Sequence, residues 1–207
     1  MIQKTRILIA DDHYLVRMGL VGLVNTQPDM EIIGEASDGQ QVVQLYEKLQ
    51  PDLVLMDTRM PEKDGIEASL EIRKKYPHAR ILMLTAFDGD ADIRRALDAG
   101  AQGYVLKSST GESLIPALRA VAQGQPWVPK EISARLNSKK SYEQLTPREV
   151  DILNELAKGF ANKQIAAVFN ITENTVKGHL KNILGKLRVA DRTEAVTVAL
   201  QRGIIHL

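Results

Sequence analysis

In the stretch RILIADD, residues 6–12, a run of apolar residues leads directly into two acidic ones. A second stretch, DLVLMD at residues 52–57, repeats the pattern and also ends in an acid. Short continuous runs of Ile, Leu, Val and Met are typical of parallel strands that are buried on both faces of a sheet. The two stretches therefore predict parallel strands with carboxylates at their carboxyl ends.

Apolar runs and amphipathic stretches alternate over the first 123 residues. We predict strands at Arg6–Ala10, Glu31–Glu35, Asp52–Met56, Arg80–Leu84 and Gly103–Leu106. The amphipathic stretches lie at about 13–25, 39–49, 66–75, 89–98 and 111–123. Repeated strand–helix units imply right-handed crossovers and helices on both faces of a parallel sheet. Five strands favour the flavodoxin-like order 2-1-3-4-5, so residues 1–123 are expected to form one α/β domain.

The remaining residues are predicted to form a linker and an all-helical domain. The linker, residues 124–142, contains Gly124, Pro126 and Pro129 and shows no periodic pattern. From residue 143 to residue 207 every pattern is helical, and Thr146 with Glu149 predicts a capping box at the first helix. Four helices are expected, and their tight turns indicate a helix-turn-helix arrangement. They are predicted at 147–158, 162–169, 172–187 and 191–203.

The composition excludes several classes of protein. The chain has 207 residues and no cysteine, so a disulfide scaffold and a thiol nucleophile are excluded. The early apolar run Ile7–Ala10 is too short for a signal peptide or a membrane span, and a cytoplasmic protein without a membrane partner is expected. The net charge of +1 hides a division: residues 1–120 carry 14 basic and 18 acidic side chains, and residues 121–207 carry 13 and 8. Two domains with different partners are therefore expected.

Polar side chains follow four of the predicted strands. Asp11 and Asp12 follow the first strand, Asp57 the third, Thr85 the fourth and Lys107 the fifth. The carboxyl ends of parallel strands meet at one edge of the sheet, where such folds bind ligands. Three carboxylates repel one another unless a cation compensates, and oxygen ligands in a partly open site favour Mg²⁺. With a lysine and a threonine to hold phosphoryl oxygens, the set predicts an aspartate that accepts a phosphoryl group.

Each of these residues also has an ordinary structural interpretation. Asp11 or Asp12 alone would most simply cap the first helix. Asp57, Thr85 and Lys107, taken singly, would be a loop carboxylate, a turn hydroxyl and a solvated base. Their joint placement at neighbouring strand ends favours the phosphoryl-accepting site.

Four motifs in residues 5–123 resemble the receiver domain of bacterial two-component response regulators. They are Ala10–His13, Met56–Pro61, Leu84–Ala86 and Gly103–Lys107. The resemblance implies that Asp57 is the phosphoacceptor, that Thr85 and Lys107 bind the phosphoryl group, and that Tyr104 is an aromatic switch that turns inward. It also implies a sensor histidine kinase as partner and a set of Mg²⁺ ligands. That set is Asp11, Asp12, Asp57 and the backbone carbonyl of Arg59.

One predicted helix combines a basic face with an apolar one. Lys177 and Lys181 are four residues apart and share a face, and no acidic residue occurs from Asn174 to Ala190. A basic face alone is usually only solvated. Because a short helix and a tight turn come before it, we interpret it as a recognition helix for the major groove of double-stranded DNA. The apolar residues of the opposite stripe are Val176, Leu180, Ile183, Leu184 and Leu187.

Residues 143–205 resemble the LuxR-type DNA-binding domain. The motifs are Leu145–Glu149, Ala161–Ala166, Thr175–Leu180 and Asp191–Ala195. The resemblance implies contacts to bases from Lys177, Gly178 and Lys181, and contacts to the phosphate backbone from Lys163, Thr175 and Arg192. Gly178 departs from the family, which often has a β-branched residue there.

Together the two resemblances indicate a response regulator of the NarL/FixJ type rather than an enzyme. Phosphorylation of Asp57 is expected to control homodimerisation and promoter binding. Two alternatives remain: a phosphohydrolase that works through an aspartyl-phosphate, and a LuxR-type regulator that is independent of phosphorylation. The first would leave the helix-turn-helix without a role, and the second would leave the acidic set without one.

Overall fold

The computed structural model describes residues 4–86, 89–129, 133 and 145–205. These residues form two compact units, one around five strands and one around the last four helices. Within the described ranges, no helix combines the length and the apolar character that a membrane crossing requires.

The first unit is a five-stranded parallel sheet in the predicted order β2-β1-β3-β4-β5. The strands are β1 Thr5–Ala10, β2 Met30–Ala36, β3 Leu53–Asp57, β4 Ile81–Thr85 and β5 Gly103–Leu106. The helices are α1 Tyr14–Asn25, α2 Gly39–Leu49, α3 Gly65–Lys75, α4 Asp90–Asp98 and α5 Thr110–Ala122. The flavodoxin-like α/β fold is confirmed.

Both β3 and β4 end one residue later than predicted. Asp57 and Thr85 are the last residues of β3 and β4, and they pair with Leu84 and Leu106 on the neighbouring strands. A side chain on a paired residue is held more firmly than one in a loop, because its backbone is fixed by the ladder. The sheet itself therefore positions the two polar groups.

Alternate strand residues fill two apolar layers, one on each face of the sheet. Every residue of β3 and β4 is buried, which explains their continuous apolar sequences. One layer joins the strands to α1 and α5. It is formed by residues such as Ile7, Ile9, Leu53, Leu55, Leu82, Leu84, Val24, Leu114 and Leu118.

The chain returns to the sheet after α5. The Trp127 N–H donates to the Gln102 carbonyl at 2.9 Å, and the Tyr104 N–H donates to the Trp127 carbonyl at 2.8 Å. Trp127 also packs against the apolar layer of α1 and α5. Trp127 of the predicted linker thus lies beside β5, while the linker residues 130–132 and 134–142 lie outside the described ranges.

The second unit contains four helices, as predicted. They are α6 Pro147–Ala157, α7 Asn162–Val168, α8 Glu173–Leu187 and α9 Arg192–Gln201. The predicted capping box is confirmed: the Glu149 N–H donates to Thr146 Oγ1 at 3.3 Å, and the Thr146 N–H donates to Glu149 Oε2 at 2.7 Å. The predicted apolar stripe of α8 packs into the core of this unit.

An ion pair ties α6 to α8. Lys186 Nζ lies 2.7 Å from Glu149 Oε2, and Glu149 is only 3% exposed. Burial raises the pKa of Glu149, but the bonds from Lys186 and from Thr146 outweigh it, so the pKa lies below its ordinary value of 4.5. The contribution of Glu149 to stability is therefore present above pH 4.5 and is lost as the pH falls through the lowered pKa.

We expect Lys186→Met to destabilise the second unit by about 1–3 kcal/mol, because it leaves a buried carboxylate without its cation. Hydrogen exchange of the α6 amides in the full-length protein measures this loss. The loss should shrink as the pH falls through the lowered pKa of Glu149, because its carboxylate is then protonated in the wild type as well.

Lys158→Met is the matched control. Lys158 Nζ also lies 2.7 Å from a glutamate oxygen, Glu155 Oε1, but the Lys158 side chain is 57% exposed. An exposed pair contributes about 0–1 kcal/mol. Equal losses in the two variants would show that burial of Glu149 is not what makes its partner important.

Candidate functional sites

The carboxyl edge of the sheet gathers the predicted acidic residues. Ligand atoms of Asp11, Asp12, His13 and Asp57 all lie within 4.8 Å of one another. Asp11 and Asp57 are buried, whereas Asp12 is partly open to solvent. The oxygen-rich donor set fits a hard cation, and the open side leaves room for further ligands. This cluster could hold a metal ion.

Lys107 places its ammonium between the two buried carboxylates. Its Nζ lies 2.7 Å from Asp11 Oδ2 and 2.6 Å from Asp57 Oδ2. Burial lowers the pKa of Lys107, but the bonds to Asp11 and Asp57 outweigh this effect and raise it, so the ammonium remains charged. Burial raises the pKa of Asp57, and Lys107 opposes that rise only in part. Asp57 is therefore a weakly solvated carboxylate that depends on one cation.

The interpretation of Asp11 or Asp12 as a helix cap does not describe the structure. The N-cap of α1 is His13, whose side chain makes no capping hydrogen bond. Asp11 Oδ1 accepts a bond from the His13 N–H at 2.8 Å, and Asp12 Oδ1 lies 2.7 Å from His13 Nδ1. The two acids thus precede the helix and remain part of the cluster.

The remaining predicted residues lie on β4, on β5 and just after Asp57. Thr85 ends the neighbouring strand, and the Arg59 N–H donates to Asp57 Oδ1 at 3.3 Å. Tyr104 is completely buried, and its register places it on the same face of the sheet as Thr85. The Lys107–Ser108 bond is trans, and it begins a short 3₁₀ turn.

Two residues of this edge are missing from the sequence-based set. The Thr58 hydroxyl donates to Thr85 Oγ1 at 3.1 Å. Arg17 Nη1 donates to the backbone carbonyl of Asp11 at 2.7 Å, and its Nε donates to Glu35. The sequence offered little to identify them. Thr58 is marked only by its place next to Asp57, and Arg17 only by its place near the start of α1.

The predicted recognition helix, α8, has the expected division into two faces. Lys177, Gly178 and Lys181 are exposed together, while Val176 and Ile183 are buried on the opposite side. A Cβ at Gly178 would contact nothing within 4 Å. The exposed strip is therefore flat at its centre and basic at both ends.

Several of the predicted DNA contacts also have partners within the protein. Lys177 pairs with Glu173 at 3.2 Å, and the Thr175 hydroxyl lies 2.8 Å from that of Thr172. Arg192 Nη2 donates to the Phe160 carbonyl at 2.9 Å, so it also holds α9 against the turn before α7. Lys163 is exposed on α7.

Two family models match the chain. Residues 7–119 match the response regulator receiver domain, and residues 143–199 match the bacterial regulatory proteins of the luxR family.

Similar proteins match along nearly the whole chain. The response regulator protein VraR of Staphylococcus aureus is 40% identical over 206 residues, which cover 97% of this chain and 99% of that protein. The crystal structure of the response regulator ChrA of a heme-sensing two-component system is 36% identical with a TM-score of 0.58, and covers 98% of this chain and 99% of its own. RcsB of Salmonella enterica serovar Typhimurium, bound to promoter P1flhDC with the phosphomimetic BeF₃⁻, is 27% identical with a TM-score of 0.72, and the match covers 95% and 98% of the two chains.

Gly65 allows the start of α3 to approach Asp57. A Cβ at this position would overlap the backbone carbonyl oxygen of Asp57. We expect Gly65→Ala to lower the unfolding free energy by about 1–3 kcal/mol and to displace Asp57, because the backbone must shift to relieve the overlap. Urea unfolding monitored by circular dichroism measures the loss.

Gly111→Ala is the control, because a Cβ at Gly111 in α5 meets nothing within 4 Å. This variant should be neutral or up to about 1 kcal/mol more stable, since alanine favours helix more than glycine does. A Gly65→Ala protein as stable as Gly111→Ala would contradict the steric role of Gly65.

Proposed function

The chain belongs to the two-component response regulators that join a receiver domain to a LuxR-type helix-turn-helix domain, and we propose that a phosphoryl group on Asp57 switches it. It is a DNA-binding regulator whose control of transcription depends on phosphorylation. We propose residues 1–123 as the receiver, 124–142 as the linker and 143–207 as the DNA-binding domain. The observation that carries the proposal is the Lys107 ammonium between Asp11 and Asp57.

The proposed chemistry uses Asp57 as a nucleophile. An oxygen of Asp57 bonds to phosphorus while the bond from phosphorus to the donor, a phosphohistidine of a sensor histidine kinase, breaks. Lys107 keeps Asp57 ionised before transfer and then neutralises a phosphoryl oxygen, and Thr85 donates a hydrogen bond to another. Mg²⁺, held by Asp11, Asp12, Asp57 and the carbonyl of Arg59, would supply charge neutralisation.

We place the DNA interface on α8 and its surroundings. Lys177, Gly178 and Lys181 would face the bases in the major groove of promoter DNA, because they form the exposed strip of α8. Lys163, Thr175 and Arg192 would contact phosphates, which position the protein without reading sequence. Since both DNA and a kinase donor are met in the cytoplasm, we assign the protein to that compartment.

We propose that the activated protein is a homodimer. A helix-turn-helix protein that reads two half-sites needs a second copy of itself. Among the described residues, the large exposed apolar side chains are concentrated on one face of α1: Tyr14 is 64%, Leu15 79% and Met18 53% exposed. Such a face is favourable to bury against a second copy of this chain.

A phosphodonor experiment tests the switch. With Mg²⁺ and a small phosphodonor, the full-length protein should gain one phosphoryl group by mass spectrometry and dimerise by analytical ultracentrifugation. Asp57→Asn should do neither. Leu15→Glu should accept the phosphoryl group but remain monomeric, because it introduces like charges into the proposed contact.

Other results would overturn parts of the proposal. Full dimerisation of Asp57→Asn in the presence of phosphodonor would remove Asp57 from the switch. A Leu15→Glu protein that dimerises normally would move the contact away from α1. Rapid turnover of a phosphomonoester would support an enzyme, whereas we propose that the protein does not turn over external substrates.

Lysine substitutions test the DNA interface. We expect Lys163→Ala to weaken binding to all DNA sequences alike. It should also reduce the slope of log affinity against log salt concentration by about 1. Lys181→Ala should reduce the binding free energy by about 1–3 kcal/mol on the preferred DNA site and by less on other sequences. Fluorescence anisotropy with matched and scrambled duplexes at several salt concentrations distinguishes the two, and equal losses on both duplexes for Lys181→Ala would exclude it as a base reader.

A further inference from the structure

Thr58 is connected to Thr85 by a buried hydrogen bond. Thr58 Oγ1 donates to Thr85 Oγ1 at 3.1 Å, and the two residues are 5% and 0% exposed. Thr58 directly follows Asp57, and Thr85 ends the next strand. The bond therefore joins the neighbour of the phosphoacceptor to a residue proposed to bind the phosphoryl group.

The backbone holds Thr58 firmly in place. Its N–H donates to the Leu84 carbonyl at 3.0 Å, and its carbonyl accepts a bond from the Gly65 N–H at 3.1 Å. Threonine is branched at Cβ, which restricts rotation about χ1. With both backbone groups bonded and χ1 restricted, the Thr58 hydroxyl is a fixed donor rather than an adaptable one.

We propose that Thr58 is a positioning residue, which orients the Thr85 hydroxyl toward a phosphoryl group on Asp57. The inference rests on the proposed roles of Asp57 and Thr85. Thr58 is the donor, so the bond uses a lone pair of the Thr85 oxygen and not its proton. A hydroxyl that accepts a hydrogen bond becomes a stronger donor, because bonded groups polarise one another in a low-dielectric interior.

Valine and serine separate positioning from packing. Thr58→Val keeps the shape of the side chain and removes the hydroxyl, whereas Thr58→Ser keeps the hydroxyl and removes a methyl group. If Thr58 served only to fill space, Val would be the better replacement. If its hydroxyl orients Thr85, Ser is the better one.

The test measures binding of beryllofluoride, a phosphoryl mimic, to the full-length protein in the presence of Mg²⁺. We expect Thr58→Val to raise the dissociation constant by calorimetry about 5- to 10-fold, as the loss of one buried hydrogen bond implies. Thr58→Ser should stay within about 2-fold of the wild type. Ser69→Ala removes a buried hydroxyl elsewhere, in α3, and should leave the dissociation constant unchanged.

Fluorescence of Trp127 provides a second measurement. It is the only tryptophan of the chain, and its carbonyl accepts the Tyr104 N–H, so its emission reports on β5. At saturating beryllofluoride, Thr58→Val should show a smaller emission change than the wild type, and Thr58→Ser should restore it. A change in thermal stability alone would alter neither the dissociation constant nor this amplitude.

Three outcomes overturn the proposal. Wild-type affinity in Thr58→Val, or a loss in Thr58→Ser as large as in Thr58→Val, would show that the hydroxyl does not position Thr85. Binding by Asp57→Asn equal to that of the wild type would refute the proposed function first, and the role of Thr58 with it. Because the first two outcomes leave the response of Asp57 intact, the two failures are distinguishable.

Discussion

The two ion pairs that Lys107 forms with Asp11 and Asp57 are what allows the acidic edge of the first unit to be buried. Asp11 and Asp57 are almost completely buried, and buried carboxylates are costly unless they are paired. Lys107 lies within 2.7 Å of both. Lys107 directly follows β5, whereas Asp11 directly follows β1 and Asp57 ends β3, so the long lysine side chain must pass the end of β4. The strand end between them carries Thr85, whose small side chain leaves room for the lysine. The order of the strands therefore determines which of these side chains can come into contact.

This pairing also bears on the proposed role of Asp57 as a phosphoacceptor. Burial raises the pKa of Asp57, and Lys107 opposes the rise. Full solvation would stabilise the charge of a carboxylate, whereas burial without a cation favours its protonated form. Asp57 lies between these extremes, because its charge is maintained by one lysine rather than by solvent.

The sequence predicted the sheet order and the acidic cluster because strands buried on both faces leave an unmistakable apolar run, and their ends are readable from it. Contacts between distant side chains have no such signal. The bonds from Thr58 to Thr85 and from Lys186 to Glu149 span 27 and 37 residues. Neither periodicity nor spacing predicts which of several lysines or hydroxyls takes a buried partner. The single bridge of Trp127 to β5 is likewise too short to show a pattern.

Contacts that the sequence does not predict also change which lysines of the predicted recognition helix, α8, are available to bind. The sequence shows two lysines on the front of α8 and a third, Lys186, near its end, but Lys186 is bound to Glu149 inside the unit. Lys177 shares its charge with Glu173 in an exposed pair, which is worth about 0.3–0.5 kcal/mol and is easily exchanged for a phosphate or a base. Within the described ranges, Lys181 makes no ion pair. In the proposed DNA interface, electrostatic attraction along α8 would therefore come first from Lys181 and then from Lys177, whereas Lys186 stabilises the fold that presents them.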